Sequence, residues 1–124
     1  EGGTNVSGGQ RQRLSIARAL AKEPEILIFD DAFSALDMKT DSKLREALKA
    51  VTQNAVTLIV AQRISTIRDA ERIIVLYKGK IVGKGSHYEL LDKCEVYLEI
   101  AKSQLSDDEI ARELKISKEK AGRK

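Results

Sequence analysis

Ile26-Leu27-Ile28-Phe29-Asp30-Asp31 is an apolar run closed by two acids, and its reading decides the fold. Consecutive apolar residues without alternation describe a strand buried on both faces of a parallel sheet, with the carboxylates at its carboxyl end. Upstream, Val6-Ser7-Gly8-Gly9-Gln10 puts a glycine pair at the start of a helix. A helix start offers unpaired N–H groups to phosphate oxygens, and a carboxylate at a strand end suits a hydrated divalent cation. Together the two features imply a nucleoside triphosphate.

Outward from this pair, Ser7 and Gln10 have the spacing of a capping box, and the helix they open is expected from about Gly8 to Lys22. Leu14, Ala17, Leu20 and Ala21 recur on one of its faces, and Pro24 ends it. Asp37 is placed to cap a second helix over Met38 to Val51, with Leu44, Ala47, Leu48 and Val51 facing inward. Ala55 to Val60 reads as another buried strand. A short helical stretch at Ile64–Asp69 precedes a strand at Ile73–Tyr77, which Lys78-Gly79-Lys80 turns into Ile81–Gly83 as a hairpin. Helices follow near His87–Lys93 and Val96–Ser103. The order is that of an α/β domain with a mostly parallel sheet flanked by helices, yet only two strands look buried on both faces.

The 124 residues are 42% hydrophobic, enough for a modest core. No stretch approaches the roughly 18 apolar residues of a membrane helix, and the start lacks a signal-peptide pattern. The single cysteine, Cys94, excludes an internal disulfide and a cysteine-based metal site, and it reads as a packing residue. The net charge of +3 comes from interleaved Lys, Arg, Asp and Glu, so nucleic acid is not called for. The tail from Ser106 to Lys124 scatters Ile110, Leu114 and Ile116 among charges behind a second capping box, Ser106 with Glu109. It reads as a helical or frayed, solvated segment.

Asn5-Val6-Ser7-Gly8-Gly9-Gln10, followed by Arg11-Gln12-Arg13 and Ile16-Ala17-Arg18-Ala19-Leu20, resembles the signature motif of ATP-binding-cassette (ABC) transporters, with Val6 where Leu is usual. Ile26–Asp30 resembles the family's Walker B strand, Ser34-Ala35-Leu36-Asp37 its D-loop, and Ile59–Thr66 its switch region. The resemblance covers Glu1 to about Gln104 and is to the C-terminal half of the nucleotide-binding domain. It implies a partial P-loop NTPase fold without the N-terminal Walker A half, since no G-x-x-x-x-G-K-[ST] loop, upstream glutamine loop or aromatic adenine platform is present. Residues 105–124 form the charged tail. The chain is then expected not to assemble an ATP site by itself.

Carried over residue by residue, the resemblance makes Ser7, Gly8, Gly9 and Gln10 a clamp for ATP held by the opposite subunit. Ser34 and Asp37 lie in the loop between the two sites, and Asp30 orients water around Mg²⁺. Two positions depart from the family. The general base, usually Glu, is Asp31, and the switch residue, usually His, is Gln62. Losing one methylene withdraws the carboxylate by about 1.5 Å. Glutamine donates a hydrogen bond but carries no imidazolium charge. An intact signature beside an altered base and switch implies one subunit of a heterodimeric multidrug-type exporter with unequal sites. Its partners would be a non-identical second nucleotide-binding subunit and a transmembrane domain fused upstream. That arrangement places it at the cytoplasmic face of the cell membrane. The sole histidine, His87, reads as structural. The alternatives are a non-transport ABC-type ATPase and a DNA-binding module built on the tail, for which too few residues remain to form a recognition helix. If strands are missing from the sheet, apolar faces should be left exposed.

Overall fold

The computed structural model describes residues 8–122. The chain divides into two compact units, Glu1–Gln62 and Arg63–Lys124.

The first unit is built as α1 (Gly8–Ala21), β1 (Ile26–Asp30), α2 (Met38–Val51) and β2 (Val56–Val60). β1 and β2 run parallel in register from Ile26 opposite Val56 to Asp30 opposite Val60. A parallel pair needs a long crossover, and α2 supplies it. Asp37 starts that helix as expected: its carboxylate accepts hydrogen bonds from the Thr40 N–H (3.1 Å) and the Thr40 hydroxyl. The core gathers Ile16, Leu27, Phe29, Phe33, Leu36 and Leu48. Phe29 and Phe33 meet with ring centroids 5.6 Å apart.

Burial on both strand faces does not occur among the described residues. Leu27 and Phe29 are buried, whereas Ile26 and Ile28 are 63% and 64% exposed. Val56, Leu58 and Val60, which share the face of Ile26 and Ile28, are exposed as well. The helices cover one side of this two-stranded sheet, and the apolar character of the other side has no described element against it. Exposed apolar faces are the outcome expected of an incomplete sheet. The helix faces also shift. α1 turns Ile16 inward, supported by Ala19 and Leu20, and leaves Leu14 exposed along with Ala17 and Ala21. In α2, Leu48 is buried and Leu44 half-buried, but Ala47 and Val51 face outward. Asp41 takes an inward place instead, buried with an ion pair to Arg45 at 2.6 Å.

The second unit contains α3 (Ile64–Ile67), β3 (Ile73–Tyr77), β4 (Lys80–Gly85), α4 (His87–Lys93), α5 (Glu95–Gln104) and α6 (Asp107–Gly122). β3 and β4 form the expected antiparallel hairpin. Its two-residue turn puts Lys78 (φ +49°) and Gly79 (φ +77°) in the left-handed region, as a turn matching strand twist requires. Ser86 and Glu89 form a capping box at the start of α4. α4 rests on β4 at Gly83, where a Cβ would lie 2.7 Å from Cys94 Sγ. Cys94 is thus a buried packing residue.

The tail expected to be helical or frayed forms α6, a 16-residue helix packed on α4. Ser106 and Glu109 bond reciprocally at its start (3.3 Å and 2.8 Å). Ile110 is buried, Leu114 is packed against the core, and the Ser117 hydroxyl donates to the Tyr88 carbonyl at 2.6 Å. Its charged sequence did not keep this segment in solvent: Ile110 and Leu114 face the core, and Glu113 pairs with Arg68 at 2.9 Å.

Candidate nucleotide site

The first turn of α1 is the anchor of the site. Gly8 and Gly9 are its first two residues, so their N–H groups have no partner further back in the helix. They line an open cleft of about 330 Å³ together with Arg13, Ala35, Leu36, Asp37 and Thr40. A Cβ on Gly8 would meet Ala35 Cβ at 3.4 Å, an ordinary contact, so the helix start approaches the loop after β1 closely. Gln10 is exposed on the same turn. Ser7 lies outside the described residues.

Asp30 and Asp31 leave the carboxyl end of β1. Asp30 is exposed and pairs with Val60. Gln62, also exposed, follows two residues after Val60, so the two acids and the glutamine emerge from the same end of adjacent parallel strands. Ligands of open α/β sheets bind at that end. Among the described residues no group of three or more His, Cys, Asp or Glu side chains is arranged to hold a metal. Asp30 is a single exposed carboxylate, of the kind that could hold a Mg²⁺ ion keeping most of its own waters.

The backbone of Asp31 is left-handed, φ +54°. It is held on both sides: its N–H donates to the Val60 carbonyl at 2.8 Å, and its own carbonyl accepts from Gln12 Nε2 (3.1 Å) and the Ser34 hydroxyl (3.2 Å). Gln12 also donates to Ser34 Oγ (3.0 Å) and accepts the Ala35 N–H through Oε1 (2.9 Å). One α1 side chain therefore staples the whole turn from Asp31 to Ala35. Ser34 is tied into this staple, whereas Asp37 is committed to capping α2. The Thr40 hydroxyl, and then the Thr40 N–H, hold the Asp37 carboxyl below its ordinary value.

The sequence gives Gln12 no role beyond its place in the signature stretch. The available signal was its spacing: it precedes Ile16 by one turn and so belongs to the stripe that α1 turns inward, a polar residue in an apolar row.

A family model described as ABC transporter matches residues 1–34. An uncharacterized ABC transporter ATP-binding protein of Mycobacterium tuberculosis is 53% identical over 104 residues, 84% of this chain. A bacterial Atm1-family ABC exporter, solved with ATP bound, superposes with a TM-score of 0.80 at 41% identity over 85% of this chain. The sequence is that of an ABC transporter ATPase domain. An ATP-dependent lipid A-core flippase of Syntrophus aciditrophicus is 46% identical over 112 residues, 90% of the chain. The chain spans 18% of the length of the mycobacterial relative and of the solved exporter, and 19% of the flippase. Among the described residues no helix is long and apolar enough to cross a membrane.

Proposed function

We propose that this chain is the ATP-binding portion of an ABC exporter subunit, coupling ATP binding and hydrolysis at a dimer interface to export across a membrane. The observation that carries this is the shared end of β1 and β2, where Asp30, Asp31 and Gln62 emerge together. The likeness to a flippase and to a solved exporter supports the transport reading. Its transmembrane domain is fused upstream and holds these residues at the cytoplasmic face.

In this reading Ser7, Gly8, Gly9 and Gln10 grip ATP bound by the partner subunit, where helix-start amides and the helix dipole favour phosphate. Asp30 would be the residue to hold Mg²⁺, through a bound water. Asp31 stands where the attacking water gives up its proton, and Gln62 donates toward the terminal phosphate. Mg²⁺, when bound, neutralises phosphate charge. A base that falls short forfeits much of the roughly 10²- to 10⁴-fold that general-base catalysis supplies, or about 3–5 kcal/mol. Nucleotide binding needs no base and survives. The partner is therefore a non-identical half-transporter whose competent site this chain's signature completes.

The test is co-expression of the full-length subunit with candidate partners, measuring ATPase before and after Asp31→Glu with Gln62→His. A gain of about tenfold or more is expected. No gain, together with unchanged turnover after Ser7→Ala, overturns the unequal-site reading.

A further inference from the structure

His87, the one histidine, is 2% exposed inside the second unit. Its Nδ1 is 2.7 Å from the Tyr97 hydroxyl on α5, and its Nε2 is 3.4 Å from Oε2 of Glu113 on α6. The other oxygen of Glu113 accepts from Nη2 of Arg68, just after α3, at 2.9 Å, and the same nitrogen donates to the Tyr88 hydroxyl on α4 at 3.4 Å. Asp69 also acts electrostatically on the imidazole. β4 meets α4 through Gly83 and Gly85, which carry no charge.

Chemistry sets the direction of each bond. An ionised carboxylate only accepts, so the hydrogen of the neutral imidazole is on Nε2 and points at Glu113. Nδ1 then offers a lone pair, and the Tyr97 hydroxyl donates to it. Tyr97 keeps its proton, since burial pushes the phenol up to about 12. A second proton on the ring can go only to Nδ1, the place that the Tyr97 hydrogen takes. The hydroxyl must then turn its hydrogen away, and among the described residues it has no other hydrogen-bond partner. A buried polar group left unpaired costs the docked state about tenfold or more in population. Burial, and then Arg68, accordingly hold His87 below its ordinary 6.5 against Glu113 and Asp69.

α6 is the element that such a charge would release. It is joined to α5 through Leu105 and Ser106 and carries its own capping box. Much of its fastening is polar: beside buried Ile110 stand the Glu113 contacts, the Ser117 hydroxyl on the Tyr88 carbonyl and Lys120 Nζ 4.5 Å over the Tyr88 ring. β3 is held instead by buried Ile73 and Val75.

We propose that His87 is an acid-sensitive latch for α6: neutral, it completes the hydrogen-bond chain from Tyr97 through Glu113 to Arg68, and charged, it drives α6 off α4 as one piece while the β3–β4 hairpin stays folded. Once α6 lifts, water reaches both the imidazolium and the Tyr97 hydroxyl, so protonation and undocking are one linked event.

The experiment follows amide exchange in the full-length subunit at pH 7 and pH 5.5, each rate expressed as protection against the intrinsic rate at that pH. One group titrating from 6.5 in the released state gives at most about a tenfold effect over that interval. Protection of residues 107–122 should therefore fall about fivefold, with residues 73–85 unchanged within about twofold. His87→Gln supplies an amide that donates and accepts but does not titrate, and α6 protection should then agree at the two pH values within about twofold. Unchanged α6 protection in the parent overturns the latch. So does an equal fall over the hairpin, which means that the whole unit loosens, and so does a fall that persists in His87→Gln. Where His87→Gln leaves α6 unprotected already at pH 7, the parent decides: a loss present at pH 5.5 upholds the latch, and a loss that begins only below 4.5 belongs to Glu113 and overturns it.

Discussion

Replacing Gln12 by Ala should release the turn that carries Asp31 while leaving α1 intact. The side chain makes three hydrogen bonds there: to the Asp31 carbonyl (3.1 Å), to Ser34 Oγ (3.0 Å) and from the Ala35 N–H (2.9 Å). A protein hydrogen bond nets about 0.5–1.5 kcal/mol, and at an exposed turn water replaces part of each, so the sum lies near 1.5–2 kcal/mol. Asp31 sits at φ +54°, a conformation that costs an L-residue roughly 1–2 kcal/mol. The staple and the strain are thus of equal size, and without Gln12 the turn relaxes. Alanine is the stronger helix former, so α1 does not weaken in compensation. Amide exchange in the full-length chain is the assay: the Ala35 N–H should exchange about 10- to 30-fold faster, with the amide of Ile16 unchanged. Gln12→Glu keeps an acceptor for the Ala35 N–H but neither donor, and should fall between. Exchange over residues 31–36 that stays within about twofold of the parent in Gln12→Ala would refute the staple.

Two further outcomes follow from the second unit. Gly83→Ala places a methyl 2.7 Å from Cys94 Sγ and 3.0 Å from Leu90 Cδ2, in a region with no slack, and should destabilise α4 packing by about 1–3 kcal/mol. Adding Cys94→Ala should recover part of that loss in denaturant melts, and no recovery would mean that the sulfur is not the obstacle. Acid should also loosen this unit. Burial, and then the Arg68 guanidinium, holds His87 below its ordinary 6.5 against the pull of Glu113. For Glu113, burial acts to raise the carboxyl, but Arg68 outweighs it and holds the group below its ordinary 4.5. Both groups bind protons more readily unfolded than folded, so their contribution is full above 6.5. It is lost first through His87 as pH falls below that value and then through Glu113 below 4.5. Exchange protection of α4 and α6 should drop between pH 7 and 5.5, and a rise would refute this account.

What the sequence made legible was local. Asp37 capping α2, the Lys78-Gly79 turn and the Ser86–Glu89 box are decided by side chains within a few residues of one another, and the structure has each of them. Which faces are buried was less legible, because burial depends on what lies opposite. Ile26 and Ile28 are as apolar as Leu27 and Phe29, yet no described element packs on their side. Contacts distant in sequence were not legible at all. Nothing near Arg68 announces Glu113, and nothing near Ile64 announces Gln104. The tail therefore read as solvated although it closes the core of its unit.

The left-handed backbone of Asp31 bears on its chemistry as well as on its fold. Asp adopts positive φ more readily than Glu, because its short side chain bonds locally, although Glu23 in this chain also sits there at φ +48°. At φ +54° the backbone thus favours the shorter acid, while the general-base role proposed for this position would favour the longer one. The two requirements oppose each other at a single residue. Gln12 settles the conflict toward geometry by holding the turn whichever acid is present, since it grips the Asp31 carbonyl rather than its side chain. A Glu at this position accordingly leans more on Gln12 than Asp does. A catalytic gain from Asp31→Glu should then vanish in the Gln12→Ala background although the new carboxylate remains long enough to reach.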